Sequence, residues 1–200
     1  MKEKLKPLIN DPVLKPIIEI IPEPQIESTK NVFSDLMSCI LEQQIVYRST
    51  KKIFQKMLDS AQITELTPDN FEEFEKTALT NTKLSMNKYE TIERVVDFWQ
   101  TNNIDWFLLS DKEVKGHLGS IKGIGVWTID MILLYTLQRP NVFPYDDFHL
   151  KQIMVNLYGL NPDSQLKKQM LEISERWSEQ KSLAVKYLLA WKEYNKKTPK

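Results

Sequence analysis

The stretch that most restricts how this chain folds is 118–128, LGSIKGIGVWT. Helical pattern stops at Ile121, Gly123 and Gly125 bracket Ile124, and helical pattern resumes at once. Glycine reaches positive φ and permits a close approach that a Cβ resists. The pair therefore predicts a tight corner between two helices, with Ile124 tucked beneath it. The second helix points its first backbone N–H groups at whatever lies in front of the corner, and helix N-termini attract anions. The residues alone leave two readings, a phosphate-holding hairpin or a purely structural bend.

The remainder of the chain reads as helix. Five glycines in 200 residues are few for a sheet-and-turn protein, and Glu, Lys, Leu, Ile and Gln suit helices. At this length the chain forms one domain, or two small lobes sharing a core. Pro7, Pro12, Pro16, Pro22 and Pro24 leave room only for short helical pieces at the start. A longer helix is expected from Ser28 or Thr29, with Val32, Leu36, Ile40, Gln43 and Gln44 at helical spacing. The span 47–60 places Ile53, Met57 and Leu58 on one face. Pro68 reads as a first helical residue behind Thr67. The span 87–100 is amphipathic, and Ser110 caps a helix that stops before Gly116 or continues toward Leu118. The span 126–138 is apolar nearly all round and predicts a buried helix, 147–158 predicts another closed by Gly159, and two more reach Tyr194. No strand alternation competes, so the fold class is all-α.

Composition narrows the function. The balance of 27 basic and 27 acidic residues argues against coating nucleic acid through bulk charge. Basic residues still gather locally: Arg48, Lys51, Lys52 and Lys56 near one helix, and Lys192, Lys196, Lys197 and Lys200 at the end, where a solvated face and a frayed tail are the plain readings. A single cysteine, Cys39 in LMSCIL, excludes an internal disulfide or a cysteine-ligated cluster and reads as a buried thiol. With only His117 and His149 besides, no transition-metal site assembles. No apolar run has the length of a signal or a membrane span, and the single cysteine suits a reducing compartment, so a cytoplasmic protein is expected.

About twenty residues beyond the corner, VFPYDDF sets Asp146 and Asp147 after a proline and ahead of a helix. Asp147 suits an N-cap that accepts backbone N–H bonds, and Asp146 a solvated turn position. A capping carboxylate is fixed in direction and stays ionised, which also suits stabilising positive charge nearby. The two roles are compatible in one residue.

LGSIKGIGVWTIDMILL followed by RPNVFPYDDFHLKQIM resembles the helix-hairpin-helix DNA glycosylase superfamily, in particular its 3-methyladenine DNA glycosylase II branch. LMSCILEQQIVYRSTKKI, KLSMNKYETI and ERWSEQKSLAVKYLLAW resemble further family segments in the same order, so the likeness spans roughly 32–191. The resemblance implies two helical lobes with a cleft between them. Lobe A would hold about 1–31 and 140–200, and lobe B about 32–139 with the hairpin at 118–128. It implies base excision repair of double-stranded DNA carrying alkylated purines, by a monomer without cofactor. A noncatalytic damage-binding protein of the same fold, or a glycosylase for another base, is the alternative.

Carried over by position, the catalytic carboxylate falls on Asp147. It would stabilise oxocarbenium character at the sugar while water completes hydrolysis. Trp127 stands where lyase-type relatives carry a lysine, so no Schiff-base amine is expected there. Trp127 is also the candidate pocket wall, since its face attracts a cationic base, or else a core tryptophan. Met131, Leu189 and Trp191 are further pocket positions. Met131 replaces a tyrosine and Leu189 a tryptophan of relatives. DNA contacts fall on Gln43, Gln44, Tyr47, Arg48, Lys122, Gly123, Ile124, Gly125 and Thr128, with Gln44 as the residue filling the gap left by a flipped base or, equally, as an internal bridge. His149 reads as structural in preference to a general base. No metal is expected beyond a monovalent cation at the hairpin carbonyls 121–125.

Overall fold

In a computed structural model, residues 2–42 and 47–197 are described, with the side chains of 2, 47–52 and 197 set aside. Helices follow one another throughout, and no strand occurs among the described residues. They are α1 (Lys2–Ile9), α2 (Leu14–Ile20), α3 (Val32–Leu41), α4 (Tyr47–Ser60), α5 (Phe71–Phe74), α6 (Met86–Thr101), α7 (Asp111–Ser120), α8 (Val126–Met131), α9 (Phe148–Tyr158), α10 (Leu166–Ser174) and α11 (Lys181–Lys197). The chain divides into two compact units, Met1–Glu27 with Gln138–Lys200, and Ser28–Leu137.

In the second unit, α3 is the central helix, buried along Val32–Ile40 and packed against α4, α6 and α8. It begins later than Ser28 because Asn31 is the cap, its carboxamide oxygen accepting from Ser34 N at 2.8 Å, while Lys30 turns through φ 60° just before it. The buried Asp35 then ties the helix down by accepting from Thr29 Oγ1 at 2.6 Å and Thr136 Oγ1 at 2.7 Å. On α4 Met57 and Leu58 are buried as expected, together with Phe54, whereas Ile53 is half exposed. Thr67 and Asn70 form a capping box with Pro68 between them, and Ser110 and Glu113 form another at α7. That second box supports α7 straight through Gly116 to Ser120. The thiol of Cys39 is buried, as its apolar neighbours require.

The first unit is organised around Asp11, which is 2% exposed. It accepts from Val13 N and Leu14 N, from Tyr158 Oη at 3.1 Å and from Trp177 Nε1 at 3.0 Å, so the N-terminal helices are bonded to α9 and to the approach to α11. A buried carboxylate is tolerable only when hydrogen-bonded in this way. Burial and the Asp11 charge together push the Tyr158 hydroxyl far above its ordinary range. Ser182 pins the start of α11, donating to Arg139 O at 2.6 Å and accepting from Val142 N at 2.9 Å. Gly159 closes α9 in the left-handed region at φ 62°.

Candidate functional site

The corner between α7 and α8 forms as a hairpin of five residues. Ile124 N donates to Ile121 O at 3.0 Å, and Ile124 itself is buried beneath the turn. The two glycines differ. Gly123 stands at φ 105°, and a Cβ there would lie 2.1 Å from Thr91 Oγ1 on α6. Gly125 is the N-cap of α8 at φ −93° and faces open space, so the positive φ expected of it is not used. An ordinary φ at Gly125 follows from its place as the N-cap, which takes extended backbone, here ψ 168°. Lys122 is exposed at the tip, and its carbonyl accepts from Arg94 Nη1 at 3.5 Å. The carbonyls of Ile121, Lys122 and Gly125 each accept one protein donor. Each keeps a second lone pair, the one a monovalent cation would use.

Along α8 the side chains pass from surface to core within the first turn. Val126 is 50% exposed, so the expected burial of this helix fails at its first residue, while Trp127 is half-buried and Thr128 and Met131 are 2% exposed. The Thr128 side chain points inward, so an outward contact from this residue runs through its backbone. After Met131 the helix widens into a π-helical turn, Ile132–Thr136, a distortion that recurs near functional sites. Gln43 and Gln44 lie outside the described residues, as do the side chains of Tyr47 and Arg48.

In the other unit the two aspartates separate as their positions imply. Asp146 is exposed and paired with Lys151 Nζ at 2.5 Å. Asp147 is the N-cap of α9, 9% exposed, its Oδ1 accepting from Leu150 N at 2.7 Å and its own N–H donating to Pro144 O at 2.9 Å. The carboxylate is held rigidly by the helix it starts. Phe148 follows it with 64% of its surface exposed. That exposed aromatic next to the carboxylate is a pocket candidate that residue patterning did not isolate, because a phenylalanine in an apolar-periodic helix reads as core.

Lys192 on α11 was expected in a frayed tail, but it lies half-buried against α9. Its Nζ meets His149 Nδ1 at 2.5 Å and Gln152 Oε1 at 3.4 Å. Burial, then the Lys192 charge, hold the His149 imidazole below its ordinary pKa, while Asp147 opposes them. The contact of Nδ1 with Lys192 gives His149 a structural partner on α11. Nearby on α11, Leu189 is half-buried, and Trp191 stacks on Tyr194 with ring centres 5.7 Å apart.

A glycine hairpin between helices, a rigid N-cap aspartate following it, and an all-helical chain in this order have a counterpart among known proteins. Residues 37–180 match the HhH-GPD superfamily base excision DNA repair protein family. The chain belongs to that superfamily. The Bacillus subtilis protein YfjP, provisionally named a DNA-3-methyladenine glycosylase, is 29% identical over 168 residues, which are 79% of this chain and 58% of that protein. This chain thus spans little more than half of that relative. A Bacillus halodurans DNA-3-methyladenine glycosidase crystal structure is 27% identical with a TM-score of 0.73, covering 92% of this chain and 87% of that one. The Schizosaccharomyces pombe 3-methyladenine DNA glycosylase in complex with abasic DNA is 22% identical and shares the fold, at a TM-score of 0.73 over 94% of this chain and 95% of that one.

Proposed function

We propose that this superfamily member is a monofunctional DNA N-glycosylase that hydrolyses the bond between an alkylated purine and its deoxyribose in duplex DNA. The observation that carries the reading is Asp147, a carboxylate fixed by Leu150 N at 2.7 Å and 9% exposed. As the base leaves, positive charge develops at C1′ and the ring oxygen. A preoriented carboxylate stabilises that charge without reorganising, and water then adds to the sugar. An alkylated purine is already cationic and departs without a strong general acid. Extruding the base from the stack calls for aromatic faces, and Trp127 is the one we assign. The names of the relatives support alkylated purine as the substrate class.

The hairpin contributes backbone rather than charge. The first turn of α8 leaves N–H groups without intrahelical partners, and these, with Lys122, bind a phosphate of the DNA backbone. Such a contact explains how a chain of zero net charge holds DNA. With Trp127 in place of an amine, no Schiff base forms at that position, so the product is an intact abasic site. Acting as a monomer on duplex DNA needs no second copy.

The test is base release from methylated duplex DNA by the wild type and Asp147→Asn, with abasic sites and DNA affinity followed in parallel. Release by the wild type, lost in the variant while binding persists, establishes the reading. Release undiminished in Asp147→Asn removes the carboxylate's role, and binding without release by either protein favours a noncatalytic damage-binding protein. Robust borohydride trapping or strand nicking would overturn the monofunctional assignment.

A further inference from the structure

The ammonium of Lys192 is in an unusual position. Its partners, His149 Nδ1 at 2.5 Å and Gln152 Oε1 at 3.4 Å, are both neutral. Among the described residues no carboxylate lies within ion-pair distance of it, whereas Lys151, Lys181 and Lys196 each have one. Burial and the like charge of Lys196 hold its pKa below the ordinary lysine range, and the more weakly acting Asp147 and Glu193 do not reverse this. A half-buried cation without an anion is costly. It has three N–H donors, of which the neutral acceptors use two.

Beside it lies a cavity of about 320 Å³ between α9 and α11, walled by Lys192, Lys196, Gln152, Asn156, Asn195 and Trp191 with apolar residues behind. No acidic residue lines it. Two ammonium groups and three carboxamides surround a space large enough for a phosphate group with its ester oxygens. The support is stiff: α9 and α11 pack along this seam, and the imidazole that braces Lys192 is two residues from Asp147.

We propose that Lys192 binds a DNA backbone phosphate flanking the target nucleotide, with His149 and Gln152 as neutral braces that aim the ammonium into the α9–α11 cavity. The assignment of the phosphate to DNA rests on the DNA-repair reading above. Lysine suits the task as a point charge, and the neutral braces leave its charge undiminished for the incoming anion. The arriving phosphate returns Lys192 toward its ordinary pKa.

The experiment measures affinity for a duplex with an uncleavable abasic analogue, between about 50 and 200 mM salt, for wild type, Lys192→Met, Lys192→Gln and Lys192→Arg. The two neutral variants are expected to bind about 5- to 10-fold more weakly and to lower the log–log salt slope by about 1. Lys192→Arg keeps the slope. Two neutral replacements guard against one that misfolds. A wild-type slope and affinity in a folded neutral variant overturns the proposal. In a parallel arm, inorganic phosphate is titrated while the His149 ring resonances are followed. Their movement by phosphate without a Lys192-dependent slope on the duplex assigns the cavity to free phosphate and overturns the DNA assignment. A wild type that releases no base yet shows the Lys192-dependent slope sinks the glycosylase reading and leaves this one standing.

Discussion

The hairpin at 121–125 and the α9–α11 seam are both suited to phosphate, but they are built in opposite ways. The hairpin is local: one short stretch makes the turn, and its chemistry is carried by backbone N–H groups. The seam is non-local: Lys192 and His149 meet across 43 residues of sequence, and its chemistry is carried by side chains. A backbone-built site tolerates most side-chain changes and fails where a Cβ is forbidden. A seam built from side chains tolerates backbone adjustment and fails where a charge is removed. Asp147 combines the two, because the backbone N–H of Leu150 aims a side-chain carboxylate.

The largest effect expected is on that combined residue. Asp147→Asn keeps a competent N-cap, so the melting temperature stays near that of the wild type. Base release falls by about 10²- to 10³-fold or more, the scale of losing one preoriented electrostatic group. Single-turnover assays on methylated duplex, with calorimetry alongside, separate the two effects.

The hairpin is broken next. Gly123→Ala places a Cβ 2.1 Å from Thr91 Oγ1 at φ 105°. We expect a loss of about 2 to 5 kcal/mol, combining overpacking with a left-handed backbone. Adding Thr91→Ala recovers the overpacking part and not the backbone part. Gly125→Ala, in open space at φ −93°, costs less than about 1 kcal/mol through weaker capping. Urea denaturation of the three variants tests this asymmetry, and equal losses at the two glycines would refute it.

The smallest effect is on the seam's own titration. His149 is held below its ordinary value of 6.5, first by burial and then by Lys192. The folded protein therefore binds fewer protons than the unfolded chain just below that pH. Its contribution to stability is complete above about pH 6.5 and is lost as pH falls through the folded value. Lys192→Met removes one of the causes that lower it, so the loss becomes smaller while burial and Lys196 keep it from vanishing. Denaturation midpoints between about pH 5 and 8 read the difference, and an unchanged pH profile would mean that Lys192 does not act on His149.

Much of this protein was legible along the chain because it is locally encoded. Ser110 with Glu113 and Thr67 with Asn70 announce their helices, since capping joins residues three apart. Gly159 marks the end of α9, and Asp147 is the cap that its place before a helix implies, while Asp146, expected as a solvated turn residue, is exposed and paired with Lys151. The errors fall where neighbours in sequence do not decide. Asn31 caps α3 later than the start expected at Ser28 or Thr29, and it also donates to Leu66 O at 3.0 Å, 35 residues away. Ile53 on α4 turned outward while Phe54 beside it is buried, because the interior they meet comes from elsewhere in the unit. Lys192 read as a tail because nothing in its own segment reveals the imidazole it rests on.

The sequence by itself thus determined the helices, the hairpin and the capping aspartate, since hydrogen bonds between residues one to four apart specify all three. Only the tertiary structure decided that Gly123, and not Gly125, is irreplaceable, because Thr91 on another helix occupies the space beside it. It also decided that a lysine near the end of the chain is lodged without a carboxylate partner beside His149, because its burial and its contact with the imidazole arise only when distant segments pack.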